Sequence, residues 1–157
     1  MAILNQTLDR FMIEADGAYL NNRGLSALEQ YLQTFQTRLE TYTLLRDHGR
    51  VLIQQALRKL AQVQPELIQK HGSRCVYDMT EVVRYIATSI LRDDEVFFKE
   101  QMMAWLDTVL LAHKQNEHCA IAYRYLQEAV QAEFPDTASS LIRPYLASII
   151  QSLQSHA

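Results

Sequence analysis

Arg74-Cys75-Val76-Tyr77-Asp78-Met79-Thr80-Glu81-Val82-Val83-Arg84-Tyr85-Ile86-Ala87-Thr88-Ser89-Ile90-Leu91 is the stretch whose reading decides the fold. Cys75, Met79, Val82, Val83, Ile86 and Ile90 recur at helical spacing, which makes it an amphipathic helix with one buried face. His71-Gly72-Ser73 directly precede it and supply a breaker and a hydroxyl, so the helix is predicted to begin there with Cys75 in its first turn. Asp78 follows Cys75 at i+3, on the same face and about 4.5 Å further along the axis. A thiol and a carboxylate then look into one space. The residues alone leave two readings open: an inert packed cysteine beside a solvent-facing acid, or a site.

Outward from this helix the composition is uniform. With 157 residues, 4 Gly and 3 Pro, the chain reads as a single all-α domain with short connections, and no strand-like alternation competes. The net charge of −3, with Lys and Arg dispersed, leaves no electrostatic footprint for nucleic acid or an anionic membrane. The sequence opens without a basic segment followed by an apolar core, and no apolar run approaches the roughly 20 residues of a membrane span. A soluble, cytoplasmic protein is expected. Cys75 and Cys119 make no disulfide framework, and neither a Cys-x-x-Cys nor a His-x-x-x-His pair announces a metal.

Read from the N-terminus, Ile3 to Asp16 form an opening helix with an apolar face (Leu4, Leu8, Phe11, Met12) and a polar side at Asn5, Asp9 and Arg10. Asn21-Asn22-Arg23-Gly24 starts a long helix, with a bend expected at His48-Gly49 and an end or restart at Pro65. Pro65 to Ile68 read as a short capping turn. The central helix stops near Asp93-Asp94, and helices follow over Val96–Ala112, from Cys119 towards Pro135, and from Asp136 or Thr137 onward. The last contains Pro144, which predicts a loosened or kinked first half. Seven or eight unequal helices with short loops fit a globin-like set of crossing helices better than a regular four-helix bundle. His48, His71, His113, His118 and His156 all fall at helix ends, in loops, at the terminus or beside a glycine, so solvated histidines are expected rather than a haem ligand.

Taken in order, the motifs resemble the phycobiliproteins. Ala15-Asp16-Gly17-Ala18-Tyr19-Leu20 is similar to the family's opening Ala-Asp turn, and Gln64-Pro65-Glu66-Leu67-Ile68 to its Gln-Pro-x-Leu segment. Cys75-Val76-Tyr77-Asp78, with Val82-Val83-Arg84-Tyr85 and Leu91-Arg92-Asp93-Asp94, resembles the chromophore-bearing helix. The resemblance implies a phycobiliprotein-like globin core (24–157) preceded by N-terminal association helices (1–23), and no enzymatic activity. It also implies a linear tetrapyrrole such as phycocyanobilin or biliverdin. Cys75 would form a thioether to it, Asp78 would accept its pyrrole N–H groups, and Arg74, Lys70 or His71 would face its propionates. Tyr77 stands where the family has an arginine, and the segment before the cysteine is cut to Gln69-Lys70-His71-Gly72-Ser73, a loop in the family. Asp16 and Arg84 match a pair that joins subunits in the family, so Asp16, Tyr19 and Arg84 are expected at an interface with a second copy or a related subunit. Those departures favour a bilin carrier or buffer linked to bilin biosynthesis over a main antenna subunit. A minor light-harvesting subunit and a chromophore-free interaction or regulatory module are the alternatives.

Overall fold

The computed structural model describes residues 4–113 and 116–155, without the side chains of 109–113 and 116. Among the described residues the regular structure is helical throughout: α1 (Gln6–Glu14), α2 (Asn22–Gln33), α3 (Phe35–Val63), α4 (Pro65–Arg92), α5 (Glu95–Phe98), a π-helical turn (Lys99–Met103), α6 (Ala104–His113), α7 (Asn116–Glu133) and α8 (Asp136–Ser155). The side chain of His113 and all of His156 lie outside the described residues. None of the described helices is long and apolar enough to cross a membrane.

The core gathers where α3 and α4 pack along each other and α7 and α8 close over them. Ile53 and Leu60 of α3, Val82 and Ile86 of α4, Leu126 of α7 and Ile142 and Ile149 of α8 are almost wholly buried. Met79, Val82, Val83, Ile86 and Ile90 of the central helix all face this core, as their spacing predicts. Phe98 meets the Tyr145 ring edge-on at 4.9 Å and ties α5 to α8. The helix stays continuous across Pro144, whose missing N–H leaves the carbonyl of Ser140, an exposed residue, without its usual helical donor.

Three expectations are corrected. The long helix bends at Thr34, not at His48-Gly49. At Thr34 the guanidinium of Arg38, only 2% exposed, donates to the carbonyls of Tyr31 and Leu91 and to Thr34 Oγ1 (3.1 Å), fixing a break between α2 and α3. Gly49 instead marks a close helix crossing, because a Cβ there would stand 3.1 Å from Val83 Cγ1. Second, α4 begins at Pro65 and runs unbroken through 69–73. Proline at the first helical position is pre-set for the turn, and Leu67, Ile68 and Val76 pack on the core on both sides of Gly72, outweighing its cost of about 1 kcal/mol in a helix interior. The third concerns Asn5, which is 6% exposed rather than on a polar face. Its Oδ1 caps α1 by accepting from Leu8 N–H (3.0 Å), and its Nδ2 donates to the carbonyls of Arg92 and Asp93 (2.9 and 2.8 Å). Together with Arg92 Nε donating to Leu4 O, this fastens α1 to the end of α4. That end closes on Asp93 in the left-handed conformation (φ 51°), after which Asp94 caps α5.

Candidate functional site

A cleft opens between α4 and α7. Cys75, Asp78 and Met79 form the α4 wall with Leu67; His118, Cys119, Ala122 and Tyr123 form the α7 wall; Leu60 of α3 and Leu106 of α6 also line it. The cleft holds a cavity of about 30 Å³, room for a water molecule, and opens at its mouth to solvent, so a larger group enters only as the walls part. The lining is mostly apolar, so each polar group in it is exposed to a low dielectric.

The structure brings Cys75 and Asp78 together on this wall, one helical turn apart, both half-buried. Because α4 starts at Pro65, Cys75 lies well inside the helix and not in its first turn. It therefore has no help from a helix N-terminus, and its thiol is pushed up from 9.0, first by burial and then by the Asp78 carboxylate, with Arg74 opposing. Asp78 is held by Arg74, whose Nε stands 3.5 Å from the carboxylate in an i,i+4 pair. That pair is half open to water and contributes little to stability. Lys70 and His71 are exposed on the same helix, outside the lining, and reach no loop because none is there. Tyr77 is 64% exposed and points away from the cleft, so it lines nothing there.

Two functional candidates escape a reading by sequence. His118, expected to be solvated, lines the cleft, and its Nδ1 is buried without a hydrogen-bond partner. Cys119 faces the same space, and burial lifts its thiol from 9.0 to about 12. Tyr123, fully buried, is held well above 10.0 by the same loss of water. The signal was available in the spacing of Cys119, Ala122, Tyr123 and Leu126, with His118 one turn before Ala122 and so on the same side.

The interface candidates lie elsewhere. Tyr19 is wholly exposed and Asp16 is exposed beside Gly17, whose positive φ (77°) makes the turn. Arg84 pairs with Glu81 on its own helix, not with Asp16. It lines a second groove, of about 280 Å³, between α3 and α4, together with Arg46, Arg50 and Tyr42. The N-terminal helices present apolar side chains to solvent, among them Met12, Ile13 (74% exposed) and Leu32.

Among proteins of known family, the profile of the phycobilisome proteins matches residues 12–153. The allophycocyanin alpha-B chain of Cyanidium caldarium is 28% identical over 164 residues, which cover 93% of this chain and 97% of that one. The R-phycocyanin-1 beta chain of Porphyridium purpureum is 24% identical, covering 82% and 80%. An allophycocyanin subunit beta-18 of Cyanidium caldarium is 28% identical over 98 residues, so that there the match spans little more than half of either chain, 57% of this one and 58% of the relative.

Proposed function

The chain belongs to the phycobilisome protein family, and from that premise we propose that it binds a linear tetrapyrrole in the cleft between α4 and α7, as a bilin carrier or buffer linked to bilin biosynthesis rather than as a main antenna subunit. The observation that carries the reading is the convergence of Cys75 and Asp78 on one apolar cleft. The lining fits such a group: it offers one acceptor-only carboxylate for pyrrole N–H donors, two thiols, Cys75 and Cys119, and apolar walls for the conjugated rings. A bilin supplies an exocyclic C=C across which a thiol S–H adds, sulfur to one carbon and hydrogen to the other, with no oxidant or reductant required. Cys75 is the thiol assigned to that bond, and Asp78 the group that orients the pigment.

The raised Cys75 thiol supports a carrier in one further respect. At neutral pH it is held protonated, so unassisted attachment is slow and pigment held by Asp78 and the walls remains exchangeable. Arg74, already paired with Asp78, is the first candidate partner for propionates, and Lys70, one turn before it on the exposed side, is the second. Tyr77, pointing outward, does not take over the task of an arginine at the cleft.

Association is part of the same proposal. The exposed apolar side chains of the N-terminal helices suit the apolar lining of the α3–α4 groove (Leu45, Ile53, Val83, Ala87), and Asp16 of one copy, with Tyr19, is assigned to Arg84 of a second copy or a related subunit. Sedimentation of wild type against Asp16→Arg tests this: dimer for the first and monomer for the second is the expected result, and equal mass for both contradicts it. The light-harvesting alternative is favoured by the names of the relatives, allophycocyanin and phycocyanin. Carrier and antenna separate on fluorescence and exchange. The carrier releases biliverdin to an excess of a second bilin-binding protein and emits weakly, whereas a strongly emitting product that purifies with antenna complexes overturns the carrier role.

A further inference from the structure

We propose that His118 is a ligand-binding residue of the α4–α7 cleft, donating a hydrogen bond from Nδ1–H to a neutral oxygen of the bound tetrapyrrole opposite Asp78; this rests on the reading that the cleft holds such a pigment. Among the described residues only two buried side-chain polar atoms are without a partner, the hydroxyl of Tyr31 and Nδ1 of His118, and of these two residues only His118 lines the cleft. A buried ring nitrogen left without a hydrogen bond is costly, and such atoms in native proteins call for an unseen partner. Cys75, Asp78, Cys119 and Tyr123 line the same cleft, yet none of them makes a hydrogen bond to this nitrogen, and the rest of the lining is apolar.

The two walls are chemically opposite. Asp78 on α4 accepts hydrogen bonds and, when ionised, cannot donate. His118 on α7, in the tautomer that carries its hydrogen on Nδ1, donates. A ligand that satisfies both carries N–H donors and an uncharged oxygen acceptor. The terminal lactam of an open-chain tetrapyrrole has both. A porphyrin does not: its N–H groups point into the macrocycle, and its oxygens belong to propionates, which Asp78 repels in an apolar cleft. His118 is thus assigned the selection of linear over cyclic tetrapyrroles, a task distinct from the attachment at Cys75.

The test titrates biliverdin and, separately, protoporphyrin IX into the full chain as wild type, His118→Leu and His118→Gln, reading affinity from the absorption change and the thermal midpoint of the pigment-free protein by circular dichroism. Loss of one hydrogen bond corresponds to about a tenfold weaker affinity. The expected result is that His118→Leu binds biliverdin about tenfold more weakly, with a shifted band, and protoporphyrin as wild type does. His118→Gln recovers most of the biliverdin affinity through its amide N–H. The pigment-free His118→Leu protein melts at or above the wild-type midpoint, because an unsatisfied buried atom has gone. Unchanged biliverdin affinity in His118→Leu overturns the assignment. So does an equal loss for both pigments with a lowered midpoint, the signature of a packing role. Should His118→Leu not fold, His118→Met, which also lacks a donor, carries the test: biliverdin affinity about tenfold weaker with unaltered porphyrin affinity supports the assignment, and unchanged biliverdin affinity overturns it. Wild type that binds no biliverdin sinks the tetrapyrrole reading itself, and the assignment with it.

Discussion

Arg38→Met is the perturbation that probes how the N-terminal helices are fastened to the rest. Arg38 is 2% exposed, and its guanidinium donates to the carbonyl of Leu91 at the end of α4, to the carbonyl of Tyr31 and to Thr34 Oγ1. It also lies over the Tyr31 ring, 4.2 Å from the centroid. Methionine keeps most of the length and leaves little cavity, so the loss is polar. Each hydrogen bond to a charged donor contributes about 1.5–3 kcal/mol, while burying the charge costs several kcal/mol. The unopposed part is the pair of carbonyls stripped of their donor, at about 1–3 kcal/mol each. A destabilisation of about 2–6 kcal/mol follows, and for a chain of this length about 2–4 °C of melting temperature is lost per kcal/mol. Urea unfolding followed by circular dichroism reads the first, a thermal scan the second, and limited proteolysis asks whether cutting concentrates at the α2–α3 junction around Thr34. A loss under about 1 kcal/mol, with an unchanged proteolytic pattern, would refute the clamp.

Alkylation of Cys75, followed by peptide mass, is expected to be slow at neutral pH and to accelerate above pH 9, because burial and Asp78 raise the thiol; Asp78→Asn removes one of those causes and speeds it, and an equal or slower rate contradicts the electrostatics. Cys119 keeps in the folded state a proton that the unfolded chain loses near its ordinary 9.0. Its stabilising contribution is therefore complete below pH 9 and is lost as pH rises toward about 12. Cys119→Ala should flatten the alkaline fall of urea stability, and an unaltered slope counts against the burial of that thiol. At Gly49 the helix crossing predicts that Ala is nearly neutral, its gain in helix propensity of about 1 kcal/mol offset by the 3.1 Å approach to Val83. Gly49→Leu should cost about 1–3 kcal/mol by overpacking, and equal stability of Leu and Ala would show that no close approach exists.

Much of this was legible in the sequence, for identifiable reasons. The apolar spacing of Met79, Val82, Val83, Ile86 and Ile90 gave the buried face of α4 because a period of 3.6 is a property of the helix itself. The stop at Asp93-Asp94 was readable because short acidic side chains tolerate the left-handed cap and serve as N-caps. Gly72-Ser73 and His48-Gly49 misled because a local breaker is a weak preference that packing overrides, at the first by Leu67, Ile68 and Val76 on the core and at the second by Val83. The break at Thr34 and the burial of Asn5 could not be read, since both depend on the end of α4, far away in sequence: Arg38 reaches Leu91 O there, and Asn5 reaches Arg92 O and Asp93 O. The pairing of Cys75 with Asp78 followed from spacing. The shared face of His118, Cys119, Ala122 and Tyr123 was likewise in the spacing, but that this face stands opposite Cys75 and Asp78 depends on the fold.

The most direct test of the central claim is the absorption of the purified full chain after incubation with biliverdin or phycocyanobilin, recorded before and after acid denaturation in wild type and Cys75→Ala. A red-shifted, protein-bound band is predicted for both proteins, with pigment remaining on the denatured wild-type chain after long incubation at alkaline pH and leaving the Cys75→Ala chain. No spectral change with either pigment would contradict the account.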